Sequence, residues 1–150
     1  MRIAIASDHA GFRLKEHLAE WLRGRDALVL EDLGPSDDCS VDYPDFAGAL
    51  CRSLLAGSAD IGILICNSGI GMSISANRYR GIRAALCLYP DMAFWARHHN
   101  DANVLVLGGG MTAPFLAREI VKVFLTEEFD GGRHGRRVGK MDSLPGVQGS

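Results

Sequence analysis

Short apolar runs alternate with stretches of helical periodicity along this chain. Arg2–Ser7 (RIAIAS) has the pattern of a buried strand, and Asp8-His9-Ala10-Gly11 follows as a turn. Leu14, Leu18, Trp21 and Leu22 then recur at i, i+4, i+7 and i+8, one face of a helix. Ala27–Leu30 reads as a second short strand, Asp37–Ser40 as a loop, and Phe46, Leu50 and Leu54 as the next helix face. Ile61–Cys66 (IGILIC) is almost wholly apolar, as expected of a parallel strand covered on both faces. Asn67–Gly71 makes a glycine-bearing turn into a helix ending near Asn77. Ala84–Leu88 and Val104–Leu107 are further strands; between them Pro90 suits the first turn of a helix running to about His99. Leu116, Ile120, Val123 and Phe124 line a last long helix over Ala113–Leu125. This alternation predicts an α/β fold, a three-layer α/β/α sandwich around a five-stranded parallel sheet.

After Phe129 the pattern stops. Residues 130–141 are basic and show no apolar periodicity, and Pro145–Ser150 is expected to be a disordered tail. Residues 1–144 therefore read as one domain carrying a basic C-terminal segment. At 150 residues and 47% hydrophobic content the chain can bury a core, which argues against a disordered binder. A formal charge of −2 predicts neither nucleic acid nor an acidic membrane as partner, and no apolar run approaches the ~20 residues of a membrane span. Arg2 leads directly into the first strand without a signal-peptide pattern. Cys39, Cys51, Cys66 and Cys87 form no C-x-x-C pair and have no zinc-site spacing. Free thiols in a reducing cytoplasm are the expectation.

Ligands of open parallel sheets bind at the carboxyl ends of the strands. Asp8 and His9 follow the first strand there, and Cys66 ends the third. Cys66 followed by Asn67-Ser68-Gly69-Ile70-Gly71 is the most informative feature. Such a turn can aim backbone N–H groups at one point, and a helix start adds positive potential. The pair would stabilise a developing oxyanion and lower a thiol's pKa from about 8.5. The plain alternative is a small buried residue before a tight turn, with Ser68 as a helix cap. Asp8 and His9 could polarise or protonate ligand oxygens, or simply cap a helix beside an exposed imidazole. His99 and Asn100 close a helix and should therefore face the amino edge of the sheet; His99 offers acid–base chemistry near neutral pH. His98 and His99 point in different directions without a well-spaced third ligand, so no metal is expected. Arg133, His134 and Arg137 form a cationic group suited to phosphate, or a solvated basic run.

Taken together these stretches resemble the B-type ribose-5-phosphate isomerase family, which also contains galactose-6-phosphate isomerase subunits. The resemblance rests on Asp8–Phe12 with Leu14-Lys15, Asp42-Tyr43-Pro44, and Gly62–Cys66 with Ser68–Gly71. It continues through Ala76-Asn77-Arg78, Gly81–Ala84, His99–Leu105, and Gly131–His134 with Arg137. The family implies a sheet order beginning 2-1-3 and an aldose–ketose isomerisation without metal or organic cofactor. It implies that Cys66 moves a proton from C2 to C1 of the sugar, with Ser68 assisting and the amides of Asn67, Gly69, Ile70 and Gly71 holding the enediolate. His99 and Asp8 would open the sugar ring. Tyr43 and Asn100 would contact the sugar, and His9, Arg133 and Arg137, beside His134, would bind its phosphate. A site shared between two subunits, in a homodimer or a dimer of dimers, is also implied.

Two positions depart from the family pattern: Asn67 stands where Gly is usual, and Gly110 where many members carry Arg. The expected substrate pair is ribose 5-phosphate and ribulose 5-phosphate. A six-carbon sugar phosphate, allose or galactose 6-phosphate, is the alternative within enzymes, and a non-catalytic phosphosugar-binding module the alternative outside them. A thiol redox protein is disfavoured because no resolving Cys lies near Cys66 in sequence.

Overall fold

The computed structural model describes residues 1–144; the tail expected from Pro145 onward lies outside the described residues. In chain order the elements are β1 (Arg2–Ser7), α1 (Phe12–Arg23), β2 (Val29–Asp32), α2 (Tyr43–Leu55), β3 (Ile61–Cys66) and α3 (Ile70–Ala76). Then come β4 (Ala84–Leu86), α4 (Pro90–Asn100), β5 (Val104–Gly108), α5 (Pro114–Thr126) and α6 (Gly132–Asp142). All strand pairs are parallel, in the order β2-β1-β3-β5-β4. The expected three-layer, Rossmann-like α/β/α architecture and the 2-1-3 start are both found.

Alternation along the strands sorts the core into two layers. Ile3, Ile5, Ile63, Ile65, Leu105 and Leu107 face α1, α4 and α5, and pack on Leu18, Ala96, Ile120 and Phe124. Ala4, Ala6, Leu64, Cys66 and Val106 face α2 and α3, and pack on Ala47, Leu50 and Met72. Every residue of β3 is buried, in keeping with its continuous apolar run.

Three expectations are corrected. The second strand is Val29–Asp32 rather than Ala27–Leu30. Ala27 takes a positive φ of 73° and the turn ends only where Leu28 N–H reaches Arg25 O, so pairing begins at Val29 opposite Arg2. As an edge strand it tolerates the polar Glu31 and Asp32. The fourth strand stops at Leu86. The basic segment is a regular helix, α6, whose buried His134 and Val138 sit at i and i+4 against α4. Those two positions were the apolar signal, hidden because one is a histidine.

Candidate active site

The chain turns to opposite faces after β1 and β3: α1 leaves to one side of the sheet, α3 to the other. This is a topological switch point, where a crevice opens at the carboxyl ends of neighbouring strands. Asp8 and His9 stand on one lip, and Cys66 to Gly71 on the other. Three loops meet here. A Cβ on Gly11 would lie 2.5 Å from Ile65 O, and one on Gly109 would lie 3.0 Å from Gly11 Cα. Only bare backbone permits that convergence.

Cys66 is buried, and its Sγ accepts a hydrogen bond from Gly69 N–H at 3.1 Å. That geometry needs Gly69 in the left-handed region, φ 80°. The two other buried thiols are arranged the opposite way. Cys51 Sγ donates to Ala76 O and Cys87 Sγ to Ala85 O, and burial pushes both thiols up to about 12. The exposed Cys39 is raised by the neighbouring Asp37 carboxylate. Cys66 is thus the one of these sulfurs that receives a backbone donor.

The rest of this edge is built around that turn. Ser68 Oγ accepts from Ile70 N–H at 3.3 Å, a local cap of the turn. Gly71 N–H belongs to the first turn of α3, where helices leave amides without an intrahelical partner. Tyr43 opens α2, with Pro44 in its first turn, and its ring lies on Gly71: a Cβ there would come within 2.8 Å of ring carbons. Asp8 is buried and its Oδ1 accepts from Gly11 N–H at 2.9 Å. His9 is exposed, and its Nδ1 accepts from Val41 N–H at 3.3 Å, which ties the loop before Tyr43 to the site.

His99, Asn100, Arg133, His134 and Arg137 gather elsewhere, at the amino edge, where α4 ends and α6 packs on it. The His99 and His134 rings stack with centroids 4.0 Å apart and planes 6° from parallel. Arg133 Nε donates to His134 Nε2 at 3.3 Å. Burial first, then His99, Arg133 and Arg137, lower the His134 pKa from its ordinary value. Arg133 and Arg137 are both exposed, one helical turn apart. The five residues of β5, roughly 15 Å of extended chain, separate this group from Cys66. The two groups of candidate residues therefore lie on opposite edges of the sheet of one chain.

Further side chains support the amino edge. His98 turns away from His99, as expected, and its two ring nitrogens meet Glu127 Oε2 and Asp130 Oδ1, each at 2.7 Å. These carboxylates, Glu127 first, raise its pKa. The bridge pins the segment leading into α6. Arg83 donates to Asn100 O, Asp101 O and the carboxylates of Asp101 and Asp142, joining the ends of α4 and α6. Asn77 Nδ2 donates to Ala84 O while its Oδ1 accepts from Ala84 N–H. Asn77 and Arg83 thus brace the backbone around β4 and the ends of α4 and α6.

Folding also supplies a third potential metal ligand that spacing had not revealed: Asp130 lies with His99 and His134, their ligand atoms within 4.8 Å of one another. The donor set does not suit a cation as it stands. A metal needs each imidazole's lone pair in its ring plane, whereas these rings are stacked. His134 Nε2 already accepts from Arg133, Asp130 is engaged by His98, and two guanidinium groups stand nearby.

Comparison with known proteins decides what such a chain is. A family model described as Ribose/Galactose Isomerase matches residues 3–141. The chain belongs to that family. A ribose-5-phosphate isomerase B of Escherichia coli (strain K12) is 41% identical over 137 residues, covering 91% of each chain. The crystal structure of a ribose 5-phosphate isomerase from Thermotoga maritima is 56% identical with a TM-score of 0.93, covering 95% of this chain and 98% of that one. Ribose-5-phosphate isomerase B of Clostridium thermocellum superposes with a TM-score of 0.94 at 45% identity, covering 96% and 97%. As a member of the ribose/galactose isomerase family the chain is an intramolecular oxidoreductase of the aldose–ketose type. The reading as a non-catalytic module is set aside.

Proposed function

We propose that this isomerase interconverts ribose 5-phosphate and ribulose 5-phosphate through an enediolate, with Cys66 as the base. The observation that carries the proposal is the Gly69 N–H donated to Cys66 Sγ at 3.1 Å, at the switch point of the sheet. A sulfur that receives a donor turns a lone pair into the turn, whereas the Cys51 and Cys87 sulfurs are donors themselves.

The chemistry follows from what aldose–ketose isomerisation requires: one base serving two adjacent carbons, and stabilisation of the oxyanion between them. His99 and Asp8 open the sugar ring. Cys66 then takes the proton from C2, and the C1 oxygen gains negative charge held by the amides of Asn67, Gly69, Ile70 and Gly71. The thiol returns the proton to C1, and the proton on O2 passes to O1, with Ser68 assisting. Tyr43 and Asn100 hold the sugar hydroxyls. His9, Arg133 and Arg137, backed by His134, hold the phosphate; binding energy spent there positions the reacting carbons.

Such a site needs two copies of the chain, since its halves occupy opposite edges. Exposed apolar residues support a homodimer. Met111 is 70% exposed just before α5 and Phe115 75% exposed in its first turn, with Tyr89 just before α4 and Trp95 on it, in the same layer. A surface of that kind is typically covered by a partner. Among the described residues no helix is long and apolar enough to cross a membrane. Cys51, Cys66 and Cys87 are free and buried, which suits a reducing cytoplasm.

The test is a panel of five- and six-carbon sugar phosphates turned over in deuterium oxide. Aldose–ketose products with solvent deuterium at C2 of recovered aldose support the proposal. Turnover of ribose 5-phosphate that survives in Cys66→Ala would refute the role of the thiol.

A further inference from the structure

Three consecutive glycines, Gly108-Gly109-Gly110, run beside the turn that carries Cys66, and they are glycine for different reasons. A Cβ on Gly108 would meet Ser68 O at 3.0 Å, and one on Gly109 would meet Gly11 Cα at 3.0 Å and Ala10 O at 3.2 Å. Backbone excludes a side chain at both. Gly110 is another matter. Its φ lies outside the left-handed region, so its own conformation does not demand glycine. What a Cβ would strike first is the carboxamide Oδ1 of Asn67, with the Cγ and the backbone O of the same residue each at 3.3 Å. Gly110 N–H donates to Asn67 O at 2.9 Å, so the two residues are fastened by backbone while the side chain of one rests on the bare Cα of the other.

The side chain so seated is well placed. Asn67 is exposed although it directly follows the buried Cys66, and among the described residues its carboxamide has no hydrogen-bond partner. An amide offers two donors and an acceptor, the complement of a polyol. A chain with no use for that group could carry glycine here and leave position 110 free to vary.

We propose that Asn67 and Gly110 form one selectivity unit. The carboxamide, held over Gly110, narrows the space beside the Cys66 thiol and hydrogen-bonds a sugar hydroxyl, favouring five-carbon over six-carbon sugar phosphates. The inference rests on the isomerase reading of the Cys66 site given above, and adds to it which chain length the site prefers and which residues decide.

The experiment is a double-substitution cycle read as selectivity. The ratio of kcat/KM for ribose 5-phosphate to that for allose 6-phosphate is measured for the wild-type chain, Asn67→Gly, Gly110→Ala and the pair. Asn67→Gly should shift the ratio toward the six-carbon sugar by about tenfold or more, the scale on which one carbon unit is discriminated in a fitted pocket. In Gly110→Ala the new methyl meets chiefly the flexible end of the Asn67 side chain, and the backbone O of that residue has to give by only a few tenths of an ångström, so the protein should fold while the carboxamide is displaced. It should cut kcat/KM for ribose 5-phosphate by about fivefold alone, and by less than about twofold beside Asn67→Gly, as coupled neighbours do. A ratio unmoved by Asn67→Gly, or equal effects of Gly110→Ala in both backgrounds, would overturn the unit. A wild-type chain that turns over neither sugar would overturn the isomerase reading itself, a distinguishable failure. Thermal unfolding of all four proteins checks that the fold is retained.

Discussion

The imidazole of His134 lies flat on that of His99, 4.0 Å between centroids, and takes Arg133 Nε on its own Nε2. This stack couples the end of α4 to the basic face of α6, so a residue proposed for ring opening and two proposed for phosphate binding move as one body. His134 therefore acts in this scheme by positioning its neighbours. His134→Ala should raise KM and lower kcat together, by about tenfold in each. His134→Gln, which keeps an acceptor for Arg133, should recover part of the KM loss. Steady-state kinetics on ribose 5-phosphate checks both.

The four cysteines should separate cleanly by function. Cys66→Ala is expected to lower kcat by about a thousandfold or more, the upper range for a positioned base, while the protein still binds the sugar phosphate. Cys51→Ala and Cys87→Ala should instead cost roughly 1–2 kcal/mol of stability through lost core packing and leave kcat near wild type. Denaturant unfolding and initial rates, measured on the same preparations, distinguish the two behaviours.

The separation of the two proposed half-sites predicts complementation. Cys66→Ala and Arg137→Ala chains should each be poor enzymes, the second mainly through KM. Mixed and reassembled, they form heterodimers in which one site carries both substitutions and the other carries neither. Activity should return to roughly a quarter of wild type, since half the dimers are mixed and half their sites intact. Mixtures no more active than their parents would mean that each site is built from a single chain.

The exposed apolar surface gives an assembly test. Trp95→Glu together with Phe115→Glu should shift sedimentation toward the monomer and reduce specific activity most at low protein concentration. Substituting the exposed Leu55, at the end of α2, by Glu serves as the control and should change neither.

Two histidines predict opposite pH dependences of stability. His98 is raised by Glu127 and Asp130, so its contribution is fully present below about 6.5, the unfolded value, and is lost as pH rises through the raised folded value. The advantage of wild type over His98→Asn in Tm should therefore shrink from pH 6.5 upward. His134 is lowered, chiefly by burial, so the unfolded chain takes its proton first. Stability should fall below about pH 6.5, and His134→Gln should weaken that fall. Melting curves across this range in wild type and both variants check the signs.

The amino-acid sequence by itself determined the layers, the sheet and the Cys66 edge. Ile61–Cys66 is apolar at every position but a glycine, and such a run is stable only between two covering layers. Asp8, His9 and Cys66 follow β1 and β3 directly, so chain direction alone puts them at the carboxyl edge, and it puts His99 at the other. These inferences depend on neighbours in sequence and survive without knowledge of contacts. The helix at Gly132–Asp142 did not show itself, because its stabilising contacts are His134 and Val138 on α4, and a basic histidine-bearing face carries no apolar period. Asp130 beside His99, the Arg83 hub and the seat of Asn67 on Gly110 join residues tens of positions apart. Only tertiary packing decides such pairs, since side-chain proximity across distant loops is set by how the helices lie on the sheet, which no local pattern records.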